Sequence, residues 1–299
     1  VKILCLSWHD LYATGRFQEA ARTLGYDLDT CEIFDVNFVA ESGHLGLYWG
    51  KIDLLAQYDI LIVRTFHPYI SEALTIARLF RDTGRMVIDQ SLTEQGYAVS
   101  KMHDYLLLGR AGLAVPQSWQ FYDPRDVEQV AEQIGYPCIL KGVHGAQGNH
   151  VHLIRDTNHL HRFLWRYPTG ELMLQEYLPA AEDYRVLTIG QDALPVMVSR
   201  RAPSGDFRTN FAVGGTFQKR DLTEFPAFKA LAIGAATTLG REFAAVDIRM
   251  RGDTPVVLEV NRRPDFEGFE RATGVDVAAT FLQYVVGKYQ RVQTNVPIS

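Results

Sequence analysis

The sequence predicts a mixed fold, with an α/β unit at the N-terminus and α+β structure after it. Three observations carry this. The first 90 or so residues alternate short apolar runs with helix-spaced segments, the pattern of a parallel sheet with helices packed on it. From Asp183 onward strand signals crowd together. Finally, Asp247–Asn261 reads as a hairpin whose second strand, Pro255–Asn261, is nearly all apolar yet contains Glu259.

In chain order, Val1–Ser7, Tyr58–Arg64 and Met86–Asp89 are strand-like, and Arg16–Leu24 and Ser71–Arg81 have helical spacing. Glu41–Lys51 is rich in Gly and aromatic residues and reads as a loop. A second module begins near Ser91. Lys101–Gly109 is helical and Asp126–Ile134 amphipathic, while Pro137–Lys141 and His150–Ile154 are strands around a loop holding Gly142, Gly145 and Gly148. Leu172–Leu178, Tyr184–Ile189 and Leu194–Arg200 are further strands. A helix at Ala227–Leu239, the hairpin and a closing helix at Val275–Tyr289 complete the chain. The expected division is 1–92, 93–180 and 181–299.

At 299 residues and 47% hydrophobic content, a substantial core is expected. The net charge of −5 argues against a general nucleic-acid or anionic-membrane binder. Cys5, Cys31 and Cys138 are odd in number and widely spaced, which indicates neither a disulfide framework nor a Cys-based zinc site. With no signal-length or membrane-length apolar run, the default is a soluble cytoplasmic protein.

A hairpin centred on Asp253 places Asp247 opposite Glu259, and strand alternation puts Glu259 and Asn261 on one face. Three oxygen ligands then converge, a set that suits Mg²⁺ when substrate phosphates complete its shell. The ordinary alternative is a half-exposed hairpin with polar outer residues. The loop Lys141-Gly-Val-His-Gly-Ala-Gln-Gly148 follows a strand. Its glycines allow close backbone approach to a phosphate, and Lys141 could neutralise phosphate charge. A flexible hairpin with a surface lysine explains the same residues. Neither Gly-x-Gly-x-x-Gly nor a P-loop is present. Gln175-Glu176-Tyr177-Leu178 ends a strand where backbone groups could read adenine, and Asp183 could meet ribose hydroxyls; an edge strand entering a loop is the plain reading. Arg200, Arg201, Arg208, Lys219 and Arg220 cluster, and Arg208 in Asp206-Phe-Arg-Thr-Asn210 is the one favoured for function. The five histidines between His144 and His161 lack zinc spacing, and no serine-hydrolase elbow exists.

Together and in order, these motifs resemble the ATP-grasp carboxylate–amine ligases, nearest to the RimK-like group that adds glutamate or similar amino acids to a carboxylate. The resemblance runs over essentially the whole chain. It is densest in Lys141–Gly148, Gln175–Asp183, Arg200–Asn210 and Val246–Thr273. It implies an ATP-grasp fold with an N-terminal α/β (pre-ATP-grasp) domain, a central lobe and a C-terminal lobe. It implies that Lys101 and Lys141 contact ATP phosphates, with Lys141 and Arg208 catalytic, and that Gly145, Gln147 and Gly148 lie in a loop closing over them. Glu176 and Tyr177 would frame adenine, with Asp183 at the ribose. Arg208 and Asn210 would sit at the γ-phosphate and the reacting carboxylate. Asp247, Glu259 and Asn261 would hold one or two Mg²⁺, with Mn²⁺ as an alternative.

The implied partners are a carboxylate acceptor (small molecule, peptide or carrier protein) and an amine donor such as an amino acid, with no nucleic acid and no membrane. A homo-oligomer is the default. A non-catalytic ATP-binding module and a kinase-like phosphotransferase are the alternative functions. The family's Asn-Ala-Ser-Pro-Gly is replaced here by Asn261-Arg-Arg-Pro-Asp265, which suggests altered acceptor recognition through Arg262 and Arg263.

Overall fold

The computed structural model describes the chain apart from residues 10, 65–67, 95–98, 124, 145–150, 165–170, 203–215 and 295–299. The N-terminal part runs β1 (Lys2–Ser7), α1 (Leu11–Leu24), β2 (Asp27–Glu32), β3 (Val36–Glu41), β4 (His44–Trp49), β5 (Ile52–Asp53), α2 (Leu54–Gln57), β6 (Ile60–Val63), α3 (Ile70–Asp82) and β7 (Met86–Ile88). Strands β2-β1-β6-β7 form a parallel sheet. Its central strands are apolar on both faces because both are covered. Ile3, Cys5, Ile60 and Ile62 pack with Ala13, Phe17 and Ala20 of α1, while Leu4, Leu6, Leu61 and Val63 pack with Ile76, Ala77 and Phe80 of α3.

The segment expected to be a loop, Glu41–Lys51, is mostly strand. β3, β4 and β5 form a small antiparallel sheet, and Glu41 pairs with His44 across a two-residue turn in which Gly43 has φ +81°. That glycine serves the turn and does not mark a long loop. Leu45, Leu47 and Trp49 alternate with polar or small residues as a strand requires.

Next come α4 (Lys101–Arg110), β8 (Ser118–Gln120), α5 (Asp126–Ile134), β9 (Cys138–Gly142), β10 (Val151–Ile154), α6 (Thr157–Leu164) and β11 (Leu172–Glu176). They build an antiparallel sheet in the order β10-β9-β11-β8. Cys138, Leu140, Leu172 and Leu174 face Val127, Ala131 and Leu160 of the two covering helices. Lys141 and Met173, paired in register, therefore face the other way, toward Tyr105 of α4.

The last part is β12 (Asp183–Ile189), β13 (Asp192–Arg201), β14 (Thr216–Asp221), α7 (Pro226–Thr238), β15 (Phe243–Arg251), β16 (Thr254–Asn261), α8 (Glu267–Thr273) and α9 (Val277–Thr294). Its sheet is antiparallel, β14-β13-β12-β15-β16. Val186, Met197, Val246, Ile248 and Val260 turn to α7. On the opposite face, Leu187, Ile189, Val198 and Ala245 join a core shared with α9 and with α1 of the N-terminal sheet.

Two arginines cross between these parts in opposite directions. Arg64, at the end of β6, lies 5.5 Å from the ring centroids of Phe17 and Phe243 and donates to the Pro264 carbonyl at 3.0 Å. Arg262 reaches back to Asp89 at 2.5 Å and to Ser91 Oγ at 3.0 Å. Arg262 thus braces the segment after β16 against the segment after β7, with its guanidinium turned inward, and it does not stand in the open as a substrate handle. Removing one partner of such a buried pair strands the other. Arg262→Met is expected to lower stability by about 3 kcal/mol, read from urea unfolding. An unshifted midpoint would show that Asp89 tolerates the loss.

Candidate functional site

One face of the five-stranded sheet divides into an apolar end and a charged end. The charged end carries Asp183 and Arg185 from β12, Arg200 from β13, Asp247 and Arg249 from β15, and Glu259 and Asn261 from β16. Period-two alternation puts Asp183 with Arg185 and Asp247 with Arg249 on one side. Register sets the rest, since Arg185 pairs with Asp247, and Asp183 with Arg200.

The hairpin turn is Gly252-Asp253, because Arg251 pairs with Thr254 and Gly252 has φ +58°. Continued without a break, that register would set Leu258 against Asp247. Instead the ladder shifts by one residue between Asp247 and Ile248, so that Asp247 faces Glu259 and Asn261 faces Ala245. Leu258 is the extra residue of this bulge. The irregularity re-aims Glu259 into the charged face.

Asp247 is almost fully buried. Arg185 grips it with two bonds, Nε to Oδ1 at 2.8 Å and Nη2 to Oδ2 at 2.9 Å, and Arg200 reaches Oδ2 at 3.2 Å. Burial would raise its pKa, but the two guanidinium groups outweigh burial and hold the carboxyl below its ordinary range. Arg200 also binds Asp183 at 2.7 Å, and Arg249 reaches the second oxygen of Asp183 at 3.4 Å. Asp183, expected at a ribose, therefore has both oxygens engaged by arginines. Arg249 further donates to the Leu178 carbonyl at 3.1 Å, tying the sheet to the connection after β11.

The central module meets this face at the bulge. Lys101, first residue of α4 after the capping Ser100, lies 3.4 Å from Glu259. Lys141 is buried and donates to the Tyr105 hydroxyl at 2.9 Å. Desolvation pushes its pKa down to about 8, with Glu259 pulling the other way. The Tyr105 hydroxyl in turn donates to the Leu258 carbonyl. Around Glu259 and Lys141 the named cations are Lys101, Lys141, Arg185, Arg200 and Arg249, and the anions Asp183, Asp247 and Glu259. This local surplus of positive charge suits a polyanion, in a chain whose net charge is −5.

Glu176 follows Leu172 and Leu174 in alternation, so its side chain lies on the face away from Lys141. Its carboxylate accepts from Arg251 at 2.6 and 2.7 Å and from the Gln117 amide at 2.9 Å. Burial raises its pKa less than Arg251 and the Gln117 amide lower it. A cavity of about 850 Å³ lies there, lined by Val115, Tyr136, Pro137, Glu176, Tyr177 and Arg251. What Glu176 can offer on the Lys141 side is backbone. Gly145, Gln147, Gly148, Arg208 and Asn210 lie outside the described residues.

The donor set fits a hard divalent cation. Among the described residues Asp247 Oδ1 carries one hydrogen bond and keeps a lone pair, Glu259 is 35% exposed on its side chain, and the Asn261 amide lies 3.5 Å from Asp247. No group of three His, Cys, Asp or Glu able to hold a metal occurs among the described residues, which leaves two carboxylates and an amide as the set. Among the same residues no helix is long and apolar enough to cross a membrane, and Cys5, Cys31 and Cys138 form no disulfide.

Residues 98–285 match the model of the RimK-like ATP-grasp domain. The chain belongs to that family. It is 30% identical over 297 residues to a Pseudoalteromonas atlantica protein named "Probable alpha-L-glutamate ligase 2", covering 96% of this chain and 95% of that one. It is 30% identical over 284 residues to the Salmonella schwarzengrund "Ribosomal protein bS6--L-glutamate ligase", covering 92% of each. The ATP-grasp ligase PsnB, solved with a minimal precursor, Mg and ADP, superposes with a TM-score of 0.72 at 19% identity, over 96% of this chain and 97% of that one. The fold is therefore ATP-grasp, and this RimK-like chain is an ATP-dependent ligase that forms amide bonds.

Several residues that organise the site escaped the sequence reading. Arg185 and Arg249 sit two residues from Asp183 and Asp247, so period-two alternation could have found them once those acids were singled out. Tyr105 carried no signal, because an aromatic on an amphipathic helix ordinarily means core.

Proposed function

We propose that this RimK-like ligase activates a peptide or protein carboxylate as an acyl phosphate and joins it to glutamate or a similar amino acid. One observation supports the reading above others. The bulge brings Glu259, with Asp247 and Asn261, against Lys101 and Lys141 of the central module, so metal-type and phosphate-type groups meet at one place. The names of relatives at 30% identity motivate the choice of glutamate and of a protein acceptor.

In this reading the acceptor carboxylate oxygen attacks the γ-phosphorus of ATP, the bond to the β-phosphate oxygen breaks, and ADP leaves. The amine nitrogen then attacks the acyl carbon, and phosphate departs with the C–O electron pair while the amine loses a proton. Lys141 and Lys101 bind the phosphates, and the backbone of Glu176 and Tyr177 orients the base. Arg185 and Arg200 hold Asp247 ionised. Asp183 fixes Arg200 and Arg249 in place. Asp247, Glu259 and Asn261 hold Mg²⁺, which when bound neutralises phosphoryl charge; Mn²⁺ is the substitute to compare. Arg208 and Asn210 are assigned to the γ-phosphate and the reacting carboxylate, and Gly145, Gln147 and Gly148 to the covering loop. A cytoplasmic homo-oligomer with segments 1–92, 93–180 and 181–299 as its units completes the proposal, and light scattering checks the assembly.

Hydroxylamine trapping tests it. The protein is incubated with Mg-ATP, hydroxylamine and pools of peptides and small carboxylates, and ADP and hydroxamate are followed. Hydroxamate from the peptide pool is the expected result. Hydroxamate from a metabolite pool alone would move the acceptor to small molecules. ADP with a stable phosphorylated product and no hydroxamate would indicate phosphotransfer, and ATP binding with no turnover from any pool a non-catalytic module.

A further inference from the structure

We infer that Tyr105 is a positioning residue that couples the phosphate-side Lys141 to the metal-side Glu259 through the bulge at Leu258. The inference rests on the reading of Lys141 and Glu259 just proposed. Tyr105 is buried, with its ring packed on Val143, Met173 and Met102. Its hydroxyl receives the Lys141 ammonium at 2.9 Å, and the Gln175 side chain also bonds it. The Lys141 ammonium carries no lone pair with which to accept, so it must be the donor. The hydroxyl hydrogen is then committed to the Leu258 carbonyl. That carbonyl belongs to the extra residue of the bulge, whose backbone the strand ladder leaves unpaired. One hydroxyl thus satisfies the bulge that aims Glu259 and accepts from the buried lysine beside it.

The energetic logic is direct. A buried ammonium is costly unless hydrogen-bonded. Tyr105 on α4 and Glu259 on β16 face Lys141, Lys101 and Asp104 on α4 act on the Tyr105 hydroxyl, and the register neighbours of Lys141, Val151 and Met173, are apolar. Tyr105 supplies the one described hydrogen bond to the ammonium, and an arriving phosphate would supply others. Without the hydroxyl, Lys141 deprotonates more readily and its attraction for phosphate fails at a lower pH.

The test uses the full chain carrying ¹³Cε-labelled lysine, with the Lys141 resonance identified by Lys141→Arg. In the wild type its titration midpoint is expected near 8. In Tyr105→Phe it should fall by about one unit. ADP affinity, measured by calorimetry, should then be nearly unchanged at pH 6 and reduced up to about tenfold at pH 9. A purely structural role would weaken ADP binding equally at both pH values. 3-Fluorotyrosine at position 105 keeps the fold and weakens the acceptor, so it should shift the midpoint the same way by less. An unmoved Lys141 midpoint in both variants overturns the inference. Lys141→Met separates the two readings. If it binds ADP like the wild type, Lys141 is no phosphate ligand and the proposed function loses that contact, while the midpoint still decides whether Tyr105 holds the ammonium.

Discussion

Glu259→Gln is expected to abolish metal-dependent ADP formation while leaving the fold intact. The carboxylate is partly exposed and meets Lys101 at 3.4 Å, so its loss strands no deeply buried charge. Stability should change little, as for other weak partly exposed pairs. Binding and turnover are different. Substituting groups that merely support a metal ligand costs about 10–100-fold in metal affinity or activity, so neutralising a direct ligand should cost at least about 100-fold in kcat/KM. The half-saturating Mg²⁺ concentration should rise with it. Because the substitution also removes a negative charge from beside Lys101, metal-free ATP binding should be unchanged or slightly tighter. Wild-type Mg²⁺ dependence in Glu259→Gln would remove Glu259 from the metal set, and with it the purpose assigned to the bulge.

That prediction depends on a feature only partly legible in the sequence. The sequence shows a hairpin, and centring it on Asp253 pairs Asp247 with Glu259. The pairing is found, but by a different route, through a two-residue Gly252-Asp253 turn and a one-residue bulge at Leu258. A bulge leaves no compositional mark, since Leu258 looks like any apolar strand residue. The parallel sheet was legible because its strands are apolar on both faces and its helices amphipathic. β4 was not, because Gly43 and the neighbouring aromatics look like loop chemistry until the turn is seen. β2, with Asp27, Asp29 and Glu32, is too polar to announce itself as a strand; its place is fixed by pairing with β1. Among the candidate site residues, the acids and Lys141 stand out in the sequence by type and position. Their partners were not, because which arginine meets which carboxylate is decided by register across four strands. Arg262 shows the converse: its position beside the metal strand suggested substrate contact, and only the packed structure shows it turned to Asp89.

Arg200→Met is expected to be the most destabilising single substitution in the charged face. Arg200 is the largest of the fully buried side chains among the described residues, and its guanidinium bridges Asp183 and Asp247. Methionine fills part of the volume but leaves two buried carboxylates short of a partner. Breaking a buried pair from one side costs about 3–5 kcal/mol. The pH dependence distinguishes this from simple loss of packing. In the wild type, the depressed pKa of Asp247 contributes stability that is present above its unfolded pKa and lost as pH falls through the lower folded value. In Arg200→Met, the burial of Asp247 is opposed by fewer cations, so its carboxylate takes up a proton at higher pH, and protonation relieves the penalty. The deficit should therefore be greatest near neutral pH and shrink as pH falls toward the carboxylate range. Urea unfolding at several pH values measures it directly. A deficit that stays constant with pH would assign the loss to packing, and would mean that Arg185 alone suffices to keep Asp247 ionised.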